Sequence, residues 1–485
     1  MIRELHEKLI KGEITSVELM GKYFDAIEKG NPELNAYLTL TKDLAMEQAK
    51  RTDEKIKKGE EINLLEGIPG GIKDLIQLKD VRATGGSKIL DNYIAPYDAT
   101  VVNKLKEVGA VFLGKTNCDE FAMGSSGEKS AYGPTKNPHD LERVPGGTSS
   151  GSAAAVAADL AVWALGTDTG GSSRQPASFC GIVGFKPTYG RISRYGVMAA
   201  ASSLEQVGIL AKTVEDCAVV LSAIAGEDKM DSTTAKSSGK DYTNYLTGEV
   251  KGMKIGIVKE YQEGLNSGMK EAMQAVIKRY EKMGAEIVEI ELPYAKYSLP
   301  VFYIINPCEI SSNLARYDGV KYGIRINDEL DSNYNPNGLT RNLLETYLDT
   351  RQYGLGAEAK RRIMLGTYAL SAGYYEAYYL RAQKVRTLIR KDFEKAFEKV
   401  DLILTPTAPT PAFKIGEKIQ DPLEMYLADI FTVTANIAGV PAISIPCDNK
   451  VEYEGERLPA GFQLMGKWFD EEGVLRAAHA YEVSK

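Results

Sequence analysis

Between positions 145 and 181 the chain reads PGGTSSGSAAAVAADLAVWALGTDTGGSSRQPASFCG. Glycine, serine and alanine dominate it, in small-residue runs on either side of a turn. The part at 152–166 is the longest apolar run; it carries Asp159, is too short to cross a bilayer, and reads as a buried helix. The part at 165–181 uses two glycines to deliver Ser172 into a turn between runs of small residues. A serine in that setting raises the question of what would take its proton.

Histidine is the usual base for a serine nucleophile, but the chain has only three. His6 falls in a helical pattern, His479 in the tail LRAAHAYEVSK, and His139 in the loop KNPHDLERVPGG. All three read as surface or loop residues, so the base is sought elsewhere.

With 485 residues and 44% apolar content the chain can bury a large core. A net charge of −7 argues against broad phosphate neutralisation, so any RNA contact by this chain is expected to be local. Five scattered cysteines without a C-x-x-C pair encode neither a disulfide framework nor a metal site. The acidic N-terminus is unlike a transit or signal peptide. A cytoplasmic protein with no membrane segment is expected.

Residues 1–60 read as a helical segment packed on the rest. ATVVNKLKEVGAVFLGKTN (99–117) reads as a helix followed by a strand. The polar stretch 226–252 reads as an exposed connection. After it, MKIGIVKE, SGMKEAMQAVIKRYEKMG and AEIVEIELP make a strand, helix, strand unit. DLILTPTAP, VPAISIPC and PAGFQLMG supply further strands near the C-terminus. This alternation predicts an α/β fold, with residues 1–485 forming one large α/β/α domain around a mixed sheet.

Three motif matches fail on context. GAVFLGKT (109–116) satisfies G-x-x-x-x-G-K-[ST], but its four inner residues look like a strand rather than a phosphate-facing turn. GTSSG (147–151) matches a nucleophile elbow, yet no apolar strand precedes it and the only histidine downstream is His479. SGEK (126–129) and SSGK (237–240) both fit S-x-x-K, which shows how cheaply that pattern arises.

Three glycine-rich pieces taken together carry more. They are GIPGGIKDLI around Lys73, VPGGTSSGSAAAVAA around Thr148 and Ser149, and GTDTGGSSRQP around Ser172. A lysine can serve as base if it is neutral, and burial near Ile68, Ile72, Leu75 and Ile76 would lower its pKa by disfavouring the charged form.

In these pieces the sequence resembles the amidase signature family, whose members use a serine nucleophile, a bridging serine after a cis peptide bond, and a lysine. The family's bridging hydroxyl stands 24 positions before its nucleophile, and 172 − 24 = 148. The resemblance thus implies Ser172 as nucleophile, Thr148 as proton bridge and Lys73 as base, with Ser149 the alternative bridge. It also implies an oxyanion site from the backbone N–H groups of Thr169, Gly170, Gly171 and Ser172. DEFAMGSS, FKPTYGRISRYGV, ASSLEQVG and DPLEMYLADIFTVTANIAGVPAIS extend the likeness to the family's branch of glutaminase subunits of tRNA-dependent amidotransferases. For that branch the resemblance implies glutamine as substrate, bound by Arg362, Asp429 and Tyr303, with Gly124 and Ser125 lining the pocket. It implies two partners, a small tethering C subunit and a B subunit that uses ATP and Mg to amidate misacylated Glu-tRNA(Gln) or Asp-tRNA(Asn). No cofactor or metal is expected in this chain.

The sequence departs from the family's pattern at three places. GGTSSGS stands where Gly-Gly-Ser-Ser-Gly-Gly-Ser is usual, Ser173 replaces an aliphatic residue after the nucleophile, and PGGIKDL replaces Pro-aliphatic-Ala-Ile-Lys-Asp-Asn. Two further readings therefore stay open: a free-standing amidase acting on small amides, and a catalytically impaired subunit kept for assembly.

Overall fold

The computed structural model describes residues 1–236, 239–258, 261, 265–325, 342–418 and 422–484. Ser237 and Ser238 of the second S-x-x-K match, and Asp421 at the start of DPLEMYL, lie outside them.

The described residues form strands β1 Tyr37–Leu40, β2 Pro69–Lys73, β3 Val111–Thr116, β4 Trp163–Asp168, β5 Val183–Lys186, β6 Gln206–Ala211 and β7 Lys254–Val258. They continue with β8 Glu286–Ile290, β9 Leu402–Pro406, β10 Ala442–Pro446, β11 Val451–Tyr453, β12 Glu456–Leu458 and β13 Gly461–Gly466. Eleven make one sheet in the order β1-β3-β2-β4-β6-β5-β10-β13-β9-β7-β8, and β11 and β12 pair separately. The sheet is mixed: β2 runs parallel to both β3 and β4, and β7 parallel to β8 and β9. β6, β5, β10 and β13 pair antiparallel between those blocks.

Side chains alternate across a strand, and here alternation sorts them into two cores. Phe112, Trp163, Leu165, Ile209, Leu404 and Phe462 join one cluster, with the helices Thr100–Glu107, Val214–Ile224, Ser267–Lys282 and Glu471–Val483. Val111, Leu113, Ala164 and Leu210 point the other way, onto the helices Ser16–Leu34, Lys42–Lys57 and Ser150–Ala157. Ile403, Ala442 and Met465 do the same further along, under Ser298–Asn313 and Arg381–Ala396. Helices thus cover both faces, which is the α/β/α arrangement around a mixed sheet.

Two local readings need correction. The run 152–166 is not one helix: the helix Ser150–Ala157 ends, and Trp163 opens β4. An unbroken apolar run has no periodicity to separate buried helix from buried strand. Within the helical N-terminal segment, residues 37–40 form β1, an edge strand antiparallel to β3. The rejected phosphate-loop match is strand, as read: Val111–Thr116 is β3, and its Lys115 is buried 3.3 Å from Asp74.

The parallel block β3-β2-β4 positions the site. Lys73, the last residue of β2, stands level with Thr116, the last of β3. β4 ends at Asp168 and leads directly into the glycines before Ser172. Functional groups collect where parallel strands end at their carboxyl termini.

Candidate active site

The glycines of PGGIK are forced by close packing. A Cβ on Gly70 would lie 2.2 Å from the Trp163 ring, and one on Gly71 2.9 Å from Cγ2 of Thr116. With both absent, β2 fits between its neighbours and carries Lys73 into the interior, fully buried.

Lys73 Nζ lies 2.8 Å from Thr148 Oγ1, 2.8 Å from Thr167 Oγ1 and 3.1 Å from Ser149 Oγ. It forms no ion pair among the described residues. Burial is the main effect on its pKa and lowers it, while Cys118 and the carboxylates of Glu205, Asp119 and Asp168 act weakly in the opposite sense. Ile68, Ile72, Leu75 and Ile76 are buried as the sequence suggested, but the groups that meet the amine itself are hydroxyls.

Thr148 and Ser149 differ in what else they do. The Ser149 hydroxyl donates to the Thr167 carbonyl at 3.1 Å and accepts the Thr167 N–H at 3.2 Å. Its hydrogen-bonding capacity is committed to holding β4. Thr148, whose bond to Gly147 is cis, has no second hydrogen bond among the described residues. Its hydroxyl therefore keeps capacity for one more partner besides Lys73. The Ser149 N–H donates to the Ser172 carbonyl at 3.0 Å, joining the two loops.

The departures from the family's usual spelling are accommodated locally. Ser173 Oγ donates to the Thr167 carbonyl at 3.2 Å, and a Cβ on the facing Gly208 would lie 2.2 Å from that hydroxyl. Ser150 Oγ lies 3.2 Å from Thr135 Oγ1.

The glycine turn is shaped by neighbours from remote parts of the chain. A Cβ on Gly170 would approach the Phe302 ring to 2.7 Å, and one on Gly171, whose φ is +128°, would lie 2.2 Å from Thr432 Oγ1. Thr432 Oγ1 in turn donates to the Gly170 carbonyl at 2.7 Å. Of the four N–H groups the resemblance assigned to an oxyanion site, that of Gly171 is occupied, donating to Asp168 Oδ1 at 2.9 Å. The hydroxyl of Thr169 is buried and unpartnered among the described residues.

Asp168 and Arg174 form a fully buried ion pair that sequence reading missed. Arg174 also donates to Gln463 Oε1 at 2.7 Å, Asn436 Oδ1 at 2.6 Å and the Thr432 carbonyl at 3.0 Å. Burial works to raise the Asp168 pKa, but Arg174, with Lys186 and Asn436, overcomes it and holds the group near 2. The pair clamps the turn that presents Ser172.

A cavity of about 210 Å³ is lined in part by Glu120, Ser125, Glu358, Arg362 and Tyr426. Asp429 Oδ2 accepts from Ser125 Oγ at 2.5 Å and from Tyr303 OH at 3.2 Å. Burial raises the Asp429 pKa to about 7, against the opposing pull of Ser125, Arg362 and Tyr303. Arg362 donates to Glu358 Oε1 at 2.8 Å and Asn306 Oδ1 at 3.1 Å, with its guanidinium over the rings of Tyr303 and Tyr426. Tyr303, Arg362, Asp429 and Ser125 are thus neighbours. Gly124 is excluded from carrying a side chain, since a Cβ there would lie 2.5 Å from the Asp119 carboxyl carbon.

The buried Lys73 thus faces two adjacent hydroxyls at the carboxyl end of β2, and the loop that carries them is joined to the glycine turn before Ser172. The chain belongs to the amidase family, whose sequence profile matches residues 18–475. It is 57% identical over 481 residues to the A subunit of the glutamyl-tRNA(Gln) amidotransferase of Carboxydothermus hydrogenoformans, covering 99% of this chain and 96% of that protein. The corresponding protein of Thermoanaerobacter pseudethanolicus is 55% identical over 482 residues, covering 99% and 95%. The crystal structure of the A subunit of glutamyl-tRNA(Gln) amidotransferase from Thermotoga maritima superposes with a TM-score of 0.80 at 41% identity, covering 100% of this chain and 96% of that one.

Proposed function

We propose that this chain is the glutamine-hydrolysing component of a tRNA-dependent amidotransferase, releasing ammonia for a partner that amidates Glu-tRNA(Gln) or Asp-tRNA(Asn). The observation that carries the chemistry is Lys73: buried, without a carboxylate partner among the described residues, and 2.8 Å from Thr148 Oγ1. An amine in that position is stabilised as the neutral base.

In the proposed reaction Ser172 Oγ attacks the carboxamide carbon of glutamine as its proton passes through the Thr148 hydroxyl to Lys73. The tetrahedral oxyanion is held by backbone N–H groups of the glycine turn. The proton returns from Lys73 through Thr148 to the leaving nitrogen, the C–N bond breaks, and ammonia departs from a glutamyl ester on Ser172. Water then cleaves the ester by the same relay, giving glutamate and free Ser172.

Asp429 suits the α-ammonium and Arg362 the α-carboxylate, with Tyr303 and Ser125 orienting the first. The proposed partners are a B and a C subunit, with ATP and Mg used in the B subunit rather than here. We place the complex in the cytoplasm: all five cysteines are free thiols, and no described helix is long and apolar enough to cross a membrane.

The test is to incubate the purified chain with glutamine, alone and with its B and C partners, and to measure glutamate and ammonia. Stoichiometric release, strengthened by the partners, supports the reading. Equal activity on simple aliphatic amides would favour a free-standing amidase, and stable assembly without ammonia release would favour an impaired subunit.

A further inference from the structure

Two adjacent non-glycine residues, Phe121 and Ala122, adopt left-handed backbone conformations, with φ of +46° and +58°. Such conformations are unfavourable for residues with a Cβ and persist only where the surroundings impose them. The loop they distort, 119–126, carries Gly124 and Ser125 to the cavity that Arg362 also lines.

One carboxylate ties this loop to the opposite wall. Glu120 is buried; it accepts from the Ser87 hydroxyl through Oε1 and from the Gly356 N–H through Oε2, the latter at 2.9 Å. Gly356 is the N-cap of the helix Ala357–Leu370, where no side chain of its own segment caps the helix. That helix carries Glu358 and Arg362 to the cavity. A carboxylate at this end meets both the free N–H groups and the positive pole of the helix dipole. Gly356 is small for the same reason: a Cβ there would lie 2.6 Å from Glu120 Oε2. The Ser87 hydroxyl also lies 3.2 Å from the Gly354 carbonyl, so the pin reaches the turn before the helix as well.

Two further residues hold the strained loop without reaching the helix. The Phe121 N–H donates to the Gly85 carbonyl at 2.8 Å, and its ring stacks on Tyr317 with centroids 5.0 Å apart. Asp119 fixes the far side by accepting the N–H groups of Gly127 at 3.0 Å and Lys129 at 2.8 Å. Glu120 is therefore a direct link between the wall bearing Ser125 and the wall bearing Arg362, beside the longer path through Asp429 and Tyr303.

We infer that Glu120 is a positioning residue for the amino-acid substrate, capping the helix Ala357–Leu370 from across the cavity so that Ser125 and Arg362 face each other at a fixed separation. The inference rests on the glutamine reading for its substrate, but the pinning itself is a property of the free chain. An amide at this position carries no charge and can accept only through its single oxygen, so it weakens the pin, either losing the Ser87 donor or reversing that bond.

The experiment compares wild type with Glu120→Gln and Ser87→Ala, each assembled with the B and C subunits. Glu120→Gln is expected to raise the glutamine KM about tenfold with kcat within about threefold. Ser87→Ala is expected to move KM the same way by less. Hydrogen exchange on the same samples without glutamine is expected to quicken at least tenfold in 120–126 and 356–362, and to stay unchanged at Ser172. A fall in kcat at constant KM, or unchanged exchange in both segments, overturns the inference. If wild type releases no ammonia from glutamine, the glutamine reading fails; the exchange measurement then still decides whether Glu120 pins the two walls. Should Glu120→Gln not fold, Ser87→Ala decides both readouts, because it removes one donor and leaves the carboxylate in place.

Discussion

Lys73 Nζ stands 2.8 Å from Thr148 Oγ1, while Ser149, the next residue, spends its hydroxyl on the backbone of Thr167. This difference separates two candidates that sequence alone leaves side by side. In the proposed relay it favours Thr148 as the hydroxyl that passes the proton, with Ser149, 3.1 Å from the same amine, as a structural support.

Thr148→Ser keeps the hydroxyl and removes a methyl, so glutaminase activity should stay within about tenfold of wild type. Thr148→Ala should lose about 10²-fold or more in kcat, the size of a lost proton-transfer partner. Ser149→Ala should act differently, costing about 1–3 kcal/mol of stability by removing the acceptor of the Thr167 N–H, with a smaller loss of activity. Thermal melts and steady-state kinetics on the three variants check both halves.

A guanidinium stays protonated at any working pH. Lys73→Arg should therefore be as inactive as Lys73→Ala, each down by at least about 10²-fold in kcat. Ammonia release by the arginine variant at a rate near wild type would remove Lys73 from the base role.

Arg362→Ala and Asp429→Ala should each lower kcat/KM for glutamine by about 2–4 kcal/mol, the loss expected when one member of a desolvated charged contact is removed. Amidation supplied with ammonium salts should continue in both. Asp429 also predicts a pH dependence. Its folded pKa is raised to about 7, and only the ionised form attracts an ammonium. The glutamine KM should rise about tenfold per pH unit as pH falls below about 7. Because the raised pKa makes the folded state bind a proton more readily, this group's contribution to stability falls as pH rises from about 4 to about 7. Asp429→Asn should remove that loss and melt higher than wild type at pH 8, while failing to bind glutamine.

Asp168→Ala leaves Arg174 buried without its charge partner and should cost about 3–5 kcal/mol. Its folded pKa is depressed to about 2, so the stabilisation it gives is complete above about 4 and is lost as pH falls through about 2. A urea titration of the variant at pH 7 and of wild type from pH 5 downward measures both.

Much of this was legible in sequence because it is local. The unit β7, Ser267–Lys282, β8 shows strand and helix periods in turn, and the glycine-rich pieces mark Lys73, Thr148 and Ser172 within short motifs. What stayed hidden depends on pairing across long stretches of chain. Arg174 meets Asp168 nearby but also Asn436 and Gln463, over 250 residues downstream, and no single-chain pattern joins them. Thr167 looks like an ordinary strand residue until Lys73 arrives from β2. The helix read at 152–166 failed in its second half, where a buried strand and a buried helix share one composition.

The proposed chemistry turns on Ser172 carrying the glutamyl group. Acid-quenching the assembled enzyme while it turns over glutamine, then mapping peptides by mass spectrometry, puts that step to the test. A glutamyl ester is expected on the peptide containing Ser172 and is expected to be absent in Ser172→Ala, which still assembles with its partners but releases no ammonia from glutamine. A glutamyl adduct on any other residue, or undiminished ammonia release by Ser172→Ala, would contradict the assignment.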